Sequence, residues 1–154
     1  MTRRLLPLLF ACWAATAHAE RKLDIAVVSD DLSKGKCGMA EAGFYARAAN
    51  ALRGAGVTVP KHGTNPFLVV RVLIAEEHTG AALTGCAVAI WVSVAYAMDT
   101  PTNPFARKSG GSLLSLCENS WMVAGPVRGN SPVIREAYGS LENQIQNCLA
   151  GLTY

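Results

Sequence analysis

The side chains best suited to acid–base chemistry form two short clusters. Asp30 and Asp31 follow an apolar segment, and Glu76, Glu77 and His78 form the second cluster near the middle of the chain. Carboxylates beside an imidazole act as general acids and bases in many hydrolases. Adjacent residues of an extended chain point in different directions, however, so both clusters are more typical of solvated loops.

The same residues give little support for a metal site. Beyond residue 19, His62 is the only histidine other than His78. The chain contains no H-E-x-x-H pattern and no closely spaced pair of cysteines, which are the spacings that zinc sites use. We therefore expect no metal and no cofactor.

Residues 1–19 have the three parts of a secretory signal peptide. The segment begins with the basic pair Arg3 and Arg4, continues with an apolar run over 5–17, and ends in small residues before a predicted cut after Ala19. About 20 apolar residues are needed to cross a bilayer, so this run is too short for a membrane anchor. The prediction is an exported chain, periplasmic or secreted.

The mature chain, residues 20–154, has the length of one domain with a single core. It contains no further apolar segment long enough to be transmembrane. An alternative reading makes Cys12 an acylated N-terminus. Bulky Phe10 stands where a lipoprotein signal has a small residue, which disfavours that alternative.

The charge of the mature chain excludes one class of partner. The full chain has 14 basic and 11 acidic residues, and two of the basic ones, Arg3 and Arg4, lie in the predicted signal peptide. The remainder is almost neutral and has no extended basic patch. We therefore expect no binding to nucleic acid.

Hydrophobic periodicity and capping signals predict six elements in the mature chain. The strands are rich in Val, Ile and Leu, and the last helix has Ser131 at its N-cap and Pro132 at its first position. The predicted strands cover 23–28, 67–75, 86–98 and 113–123; the predicted helices cover 39–54 and 132–151; the predicted polar connections include 29–38, 76–85 and 99–112.

The order of these elements, βαβββα, predicts an α+β fold. Its simplest packing is a two-layer sandwich, in which a four-stranded, mainly antiparallel sheet carries two helices on one face.

Four cysteines remain after the predicted cut, Cys37, Cys86, Cys117 and Cys148. An even number in an exported chain favours two disulfides, and four cysteines allow three connectivities. The predicted fold puts Cys37 and Cys86 at one end of the sheet and Cys117 and Cys148 at the other. The favoured pairing is therefore Cys37 with Cys86 and Cys117 with Cys148.

The sheet face without helices is the most suggestive feature for binding. It carries an arginine and an aromatic residue, Arg71 and Trp91, which are enriched at protein interfaces. Two alternatives are that the loop at 99–112 folds over this face, or that two chains dimerise there. The predicted residues of the face are Val69, Arg71, Leu73, Trp91, Ser93, Ala95 and Trp121.

These observations favour a non-catalytic exported bacterial interaction domain. We expect it to bind a protein or another envelope component through Arg71 and Trp91. The alternative is a small periplasmic hydrolase or ligand-binding enzyme that uses loop carboxylates and His78, with either Glu77 and His78 or Asp30 as the acid–base groups. A third possibility is a subunit of a homo-oligomer, such as a homodimer.

Overall fold

The computed structural model describes residues 21–60, 66–98, 112–127 and 131–152. The predicted signal peptide at 1–19, His62 and all but the last residue of the predicted loop at 99–112 lie outside these ranges.

One mixed sheet forms the scaffold, and its strands follow chain order. The first two strands are parallel, and the other two neighbouring pairs are antiparallel. The α+β class, the order βαβββα and the mostly antiparallel sheet are therefore confirmed. The strands are β1 (Asp24–Val28), β2 (Phe67–Thr79), β3 (Ala82–Met98) and β4 (Ser112–Pro126).

Two long helices build the second layer. Helix α2 covers Glu41–Gly54, and helix α3 covers Pro132–Gly151. They contact each other, since the ring centroids of Phe44 and Tyr138 lie 4.9 Å apart. Helix α3 is also tied to β4, because Asn119 donates a hydrogen bond from Nδ2 to the carbonyl of Gln144.

The core lies between these helices and one face of the sheet. Successive residues of a strand point to opposite faces, and the even-numbered residues are buried from Leu68 to Ile74 of β2 and from Cys86 to Val94 of β3. Phe44 and Leu52 from α2 and Leu141 and Ile145 from α3 are also fully buried. The strand side chains in this core include Leu68, Val70, Val72, Val88, Ile90, Val92 and Val94.

The segment at 29–38, predicted as a loop, contains two short helical turns. Helix α1 covers Asp30–Ser33, and a 3-10 turn covers Lys36–Gly38. The hydroxyl of Ser29 accepts hydrogen bonds from the backbone N–H groups of Asp31 and Leu32. A single capped turn has no hydrophobic periodicity, so the hydrophobic pattern did not indicate it.

The strands on either side of the predicted polar connection at 76–85 do form a hairpin, but the connection itself is much shorter. Thr79 pairs with Ala82, which leaves a turn of two residues. Its first residue, Gly80, has φ of 64°, the conformation that primed hairpin turns require. The two strands continue through polar residues here. Their backbone pairing therefore extends beyond the hydrophobic segments from which the strands were predicted.

Two disulfides join the layers, with the pairing favoured above. Cys37 is bonded to Cys86 with a Cα separation of 6.2 Å, and Cys117 to Cys148 with a separation of 5.6 Å. The first holds the 3-10 turn against the hairpin. The second holds the last turns of α3 against β4.

Candidate functional site

Arg71 and Trp91 lie directly opposite each other on neighbouring strands. The β2 and β3 register pairs them, and Trp91 also pairs with Ser120 on β4. The residues on either side in sequence, such as Val70 and Val92, are fully buried towards the helices. Arg71 and Trp91 therefore lie on the other side of the sheet, which we call the open face.

The open face is concave around this pair. A depression of about 410 Å³ is bounded by side chains from β2, β3 and β4. Trp91 is half-buried in its wall, whereas Arg71 is exposed. The lining residues are Val69, Arg71, Leu73, Trp91, Ser93, Ala95, Ser115 and Glu118.

Large apolar side chains stand beside this depression. Leu73 is 53% exposed and Met122 is 71% exposed. Both pair with Ala89, from opposite sides, so they form one row across the sheet. Val28 of β1, opposite Arg71, extends the apolar area to the first strand.

The depression contains one charge of each sign. Arg71 comes from β2 and Glu118 from β4, where Glu118 pairs with Ser93. Within the described part of the chain, neither side chain has an ion pair or a hydrogen bond.

Towards the hairpin the open face carries small side chains. Ala75, Ala87 and Ala124 pair in one row across three strands. Together with Gly125 and Pro126 they line a second depression of about 430 Å³. No bulky side chain rises from this row, so the backbone of another molecule can approach the sheet closely.

The prediction that Trp121 belongs to the open face is wrong. Trp121 pairs directly with Ile90, which is fully buried towards the helices, so both residues lie on the helix side. The sequence does contain the signal that fixes this. Cys117 must face α3 to reach Cys148, and Trp121 lies an even number of residues further along the strand.

The sequence prediction also missed Val28, Glu118 and Met122 on the open face. Apolar residues occur on both faces of β4, so the hydrophobic pattern does not show which of its residues face the helices. The same phase argument from Cys117 would have assigned Glu118 and Met122 correctly.

The carboxylate of Asp31 is engaged in holding the fold. Its Oδ2 accepts a hydrogen bond of 2.9 Å from the backbone N–H of Ile74, and its Oδ1 lies 2.7 Å from Nζ of Lys36. The hydrogen bond with Lys36, followed by that with Ile74, lowers the pKa of Asp31 below its ordinary value. Asp30, the hydrolase candidate, is its exposed neighbour in α1.

Glu76 has a similar role next to it. Its Oε1 accepts a hydrogen bond of 2.6 Å from the backbone N–H of Cys37, and this bond lowers the pKa of Glu76. His78 lies beside Glu76, with Nε2 to Oε2 at 3.5 Å. Lowered carboxyl pKa values favour the ionised form at neutral pH, which suits anchoring and not proton donation.

Glu77 and His78, the proposed acid–base pair, contact different residues. Glu77 packs against Gly85, its cross-strand partner on β3. His78 instead contacts Glu76, after a register shift between Glu77 and His78. The structure thus gives the histidine a different carboxylate from the one that the hydrolase alternative used.

Two further features concern ligands and membranes. Across the described ranges, no three His, Cys, Asp or Glu side chains are grouped so that they could hold a metal ion. In the same ranges, no helix has both the length and the hydropathy to cross a membrane.

Comparison with known proteins gives only weak likenesses. No family model matches the chain, and no curated protein does. A minor lipoprotein from Acinetobacter baumannii is similar at 13% identity and a TM-score of 0.34, over 82% of this chain and 87% of that one. Rare lipoprotein B from Shewanella oneidensis is similar at 12% identity and a TM-score of 0.23, over 83% of this chain and 87% of that one. No function follows from likenesses of this size.

Proposed function

We propose that this chain is a non-catalytic exported interaction domain that binds a partner protein through its open face. The observation that carries the proposal is the surroundings of Arg71. A guanidinium without a partner among the described residues lies opposite a half-buried tryptophan, between exposed Val28 and Leu73. Tryptophan and arginine are the residue types that most often dominate the binding energy of protein interfaces.

The charges of the face favour a protein over an anionic ligand. A nucleic acid or an anionic lipid surface needs several cations. In the described part of the open-face depression the cation Arg71 is accompanied by the carboxylate Glu118. An apolar centre with one charge of each sign and hydroxyls around it fits the mixed surface of another protein.

The row of small side chains formed by Ala75, Ala87 and Ala124 adds a second contact zone. A partner segment can lie across this row at backbone distance while its larger side chains enter the depression around Trp91. The two depressions lie side by side along the same strands, β2 and β3. The row of Leu73, Ala89 and Met122 lies between them, with small Ala89 at its centre.

An oxidising compartment is supported by the disulfides. Two intramolecular disulfides are typical of exported proteins and rare in the cytosol. The features of residues 1–19 point in the same direction. The hydrolase alternative receives less support, because Glu76, the carboxylate beside His78, is occupied by the Cys37 N–H.

Site-specific photo-crosslinking in the exporting host tests this proposal. A photoreactive side chain at Leu73 reports on the open face, and one at Tyr45 is the matched control, because Tyr45 is a similarly exposed residue on α2. We expect a discrete protein adduct from Leu73 and none from Tyr45. The partner in the adduct is then identified by mass spectrometry.

The combined variant Arg71→Ala and Trp91→Ala supplies the second arm. Each change at an interface hot spot costs about 2 kcal/mol or more, so the Leu73 adduct should disappear. Because half-buried Trp91 packs in the wall of the depression, circular dichroism and thermal unfolding must first show that the double variant is folded. An adduct that survives the double change, or one that contains lipid or glycan and no protein, overturns the proposal.

A further inference from the structure

Strand β4 is the last strand of the sheet, and its outer edge is unpaired among the residues that the structure describes. Its whole length pairs with β3 on one side, and no described element pairs with it on the other. Val127 donates a backbone hydrogen bond to Thr84, so odd-numbered residues from Cys117 onward direct their backbone groups towards β3. Those of the even-numbered residues, such as Ser120 and Met122, point outward.

On the other side of the sheet, the part of β2 beyond the end of β1 is covered by side chains. Where β1 ends, side chains from the segment at 29–38 take its place along β2. Asp31 accepts from the N–H of Ile74, and Nζ of Lys36 lies 3.4 Å from the Ile74 carbonyl oxygen. Nothing comparable lies along β4 in the ranges that the structure describes.

The sequence of β4 has few of the usual protective features. Natural edge strands are kept from pairing by lysines, prolines, bulges or short length. This strand has 15 residues, with Glu118 as its one charged residue and Pro126 at its end. It has one register shift, opposite Val94 and Ala95. The stretch between Cys117 and Gly125 is a regular, uncharged template apart from Glu118.

Exposed apolar side chains are concentrated on this strand and lie on both of its faces. Trp121 is 44% exposed on the helix side, and Met122 is 71% exposed on the open face. Leu114 and Leu116 of β4 are exposed as well. A molecule docked on the open face would cover Met122 and leave Trp121 in water. A strand added at the edge would bring side chains next to both.

We infer that β4 pairs antiparallel with β4 of a second copy of this chain. The occupant of the edge must itself have a free edge and apolar side chains on both faces, and β4 has these properties. A two-fold axis perpendicular to the sheet makes the pairing self-complementary. It also keeps the helices of both copies on the same side of one continuous eight-stranded sheet.

The single charge of β4 is compatible with this pairing. An axis through Ser120 places Glu118 opposite the second copy's Met122, and an axis through Trp121 places it opposite the second copy's Ala124. Neither register brings the two Glu118 side chains together, so no like charges meet. In the second register the two Trp121 rings lie opposite each other on the helix side.

The dimer is tested by light scattering or sedimentation of the full exported chain over a wide concentration range. We expect twice the mass of the chain, with dissociation only on dilution. Ser120→Pro removes an outward N–H and no bond to β3, since proline is tolerated at strand edges. It should weaken dimerisation by at least about tenfold and leave the circular dichroism of the subunit unchanged.

Met122→Lys provides a second variant should Ser120→Pro fail to fold. A lysine at the edge is expected to weaken dimerisation to a similar extent. Leu73→Lys is the matched control, because Leu73 is also an exposed apolar residue of the open face but lies on an interior strand. It should leave the dimer intact, as should Arg71→Ala with Trp91→Ala.

The remaining outcomes overturn the inference and are distinguishable from failure of the proposed function. A monomer at all concentrations excludes self-pairing. If Trp121→Lys, a change on the helix side of β4 that a molecule docked on the open face would not contact, abolishes the Leu73 photo-adduct, the edge belongs to the partner protein. A dimer that resists both β4 variants, or one that Leu73→Lys dissociates, assigns the interface to another surface.

Discussion

The carboxylate of Asp31 accepts a hydrogen bond from the backbone N–H of Ile74, a residue 43 positions later in the chain. This contact lies beyond the end of β1, where β2 still pairs with β3 but no longer with β1. The Lys36 ammonium, paired with Asp31, lies 3.4 Å from the carbonyl oxygen of the same Ile74. Side chains thus satisfy both backbone groups of Ile74. A contact in the opposite direction is made by Glu76 of β2, whose side chain accepts a hydrogen bond from the backbone N–H of Cys37.

This arrangement predicts that the fold loses stability in acid. The pKa values of Asp31 and Glu76 are lowered from ordinary values of 3.8 and 4.5. A carboxyl group whose pKa is depressed in the folded state stabilises the fold above its unfolded pKa, and that contribution disappears as pH falls through the folded pKa. The free energy of unfolding should therefore be constant near neutral pH and decline from about pH 4.5 downward.

Asp31→Asn isolates the part that belongs to this carboxylate. The variant should be less stable than the original chain at pH 7, and the difference should shrink as the pH approaches 3. Urea denaturation across this range measures it. Asp30→Asn is the matched control, because Asp30 is the exposed adjacent residue in the same turn. Equal effects of the two changes at pH 7 would contradict the role given to Asp31.

The order of the elements was readable from the sequence because the core follows simple periodicities. Strands β2 and β3 alternate buried and less buried positions, and Ser131 with Pro132 marks the start of α3. The faces of Arg71 and Trp91 followed from the same alternation. Their direct opposition did not, because it depends on the position of the turn at Gly80, which the polar residues around it concealed.

Strand β4 shows where the sequence pattern fails. Apolar and polar residues do not alternate there, since the apolar residues Trp121, Met122 and Val123 are consecutive. Edge strands have less of the core to face than central ones, so burial imposes a weaker pattern on them. A covalent constraint would have supplied what the hydrophobic pattern lacked, because the bond from Cys117 to Cys148 fixes which residues face α3.

Two glycines in helices are predicted to respond oppositely to alanine. A Cβ at Gly43 of α2 would collide with the hydroxyl of Tyr138 and lie 3.1 Å from its Cζ. Overpacking of this kind costs about 1–3 kcal/mol, which exceeds the helix propensity gained. A Cβ at Gly139 of α3 would meet nothing within 4 Å. Gly43→Ala should lower the midpoint of thermal unfolding, and Gly139→Ala should raise it.

Tyr138→Phe identifies the cause of the Gly43 effect. Removing the hydroxyl removes the nearest atom, so Gly43→Ala should cost less in the Tyr138→Phe background than in the original chain. Additive effects of the two changes would show that Gly43 is required for another reason.

The hairpin turn at Gly80 is predicted to depend on backbone conformation alone. Gly80 has φ of 64°, and a Cβ there would meet nothing within 4 Å. Left-handed backbone at a non-glycine residue costs about 1–2 kcal/mol, so Gly80→Ala should destabilise the fold by about that amount. Asn tolerates this conformation better than Ala, and Gly80→Asn should recover part of the loss. Equal loss for Ala and Asn in urea denaturation would indicate that something other than φ matters.

The two disulfides are predicted to protect different parts of the chain. They close loops of 49 and 31 residues, and on chain entropy each stabilises the fold by about 4 kcal/mol. Removing both should leave little of the stability typical of a small domain. Replacing Cys37 and Cys86 by Ala frees the turn that covers the β2 edge, so limited proteolysis should cut first within 29–40. Replacing Cys117 and Cys148 by Ala should instead expose the last turns of α3. Cleavage at the same sites in both variants would show that the disulfides act only on the unfolded chain and not on local opening.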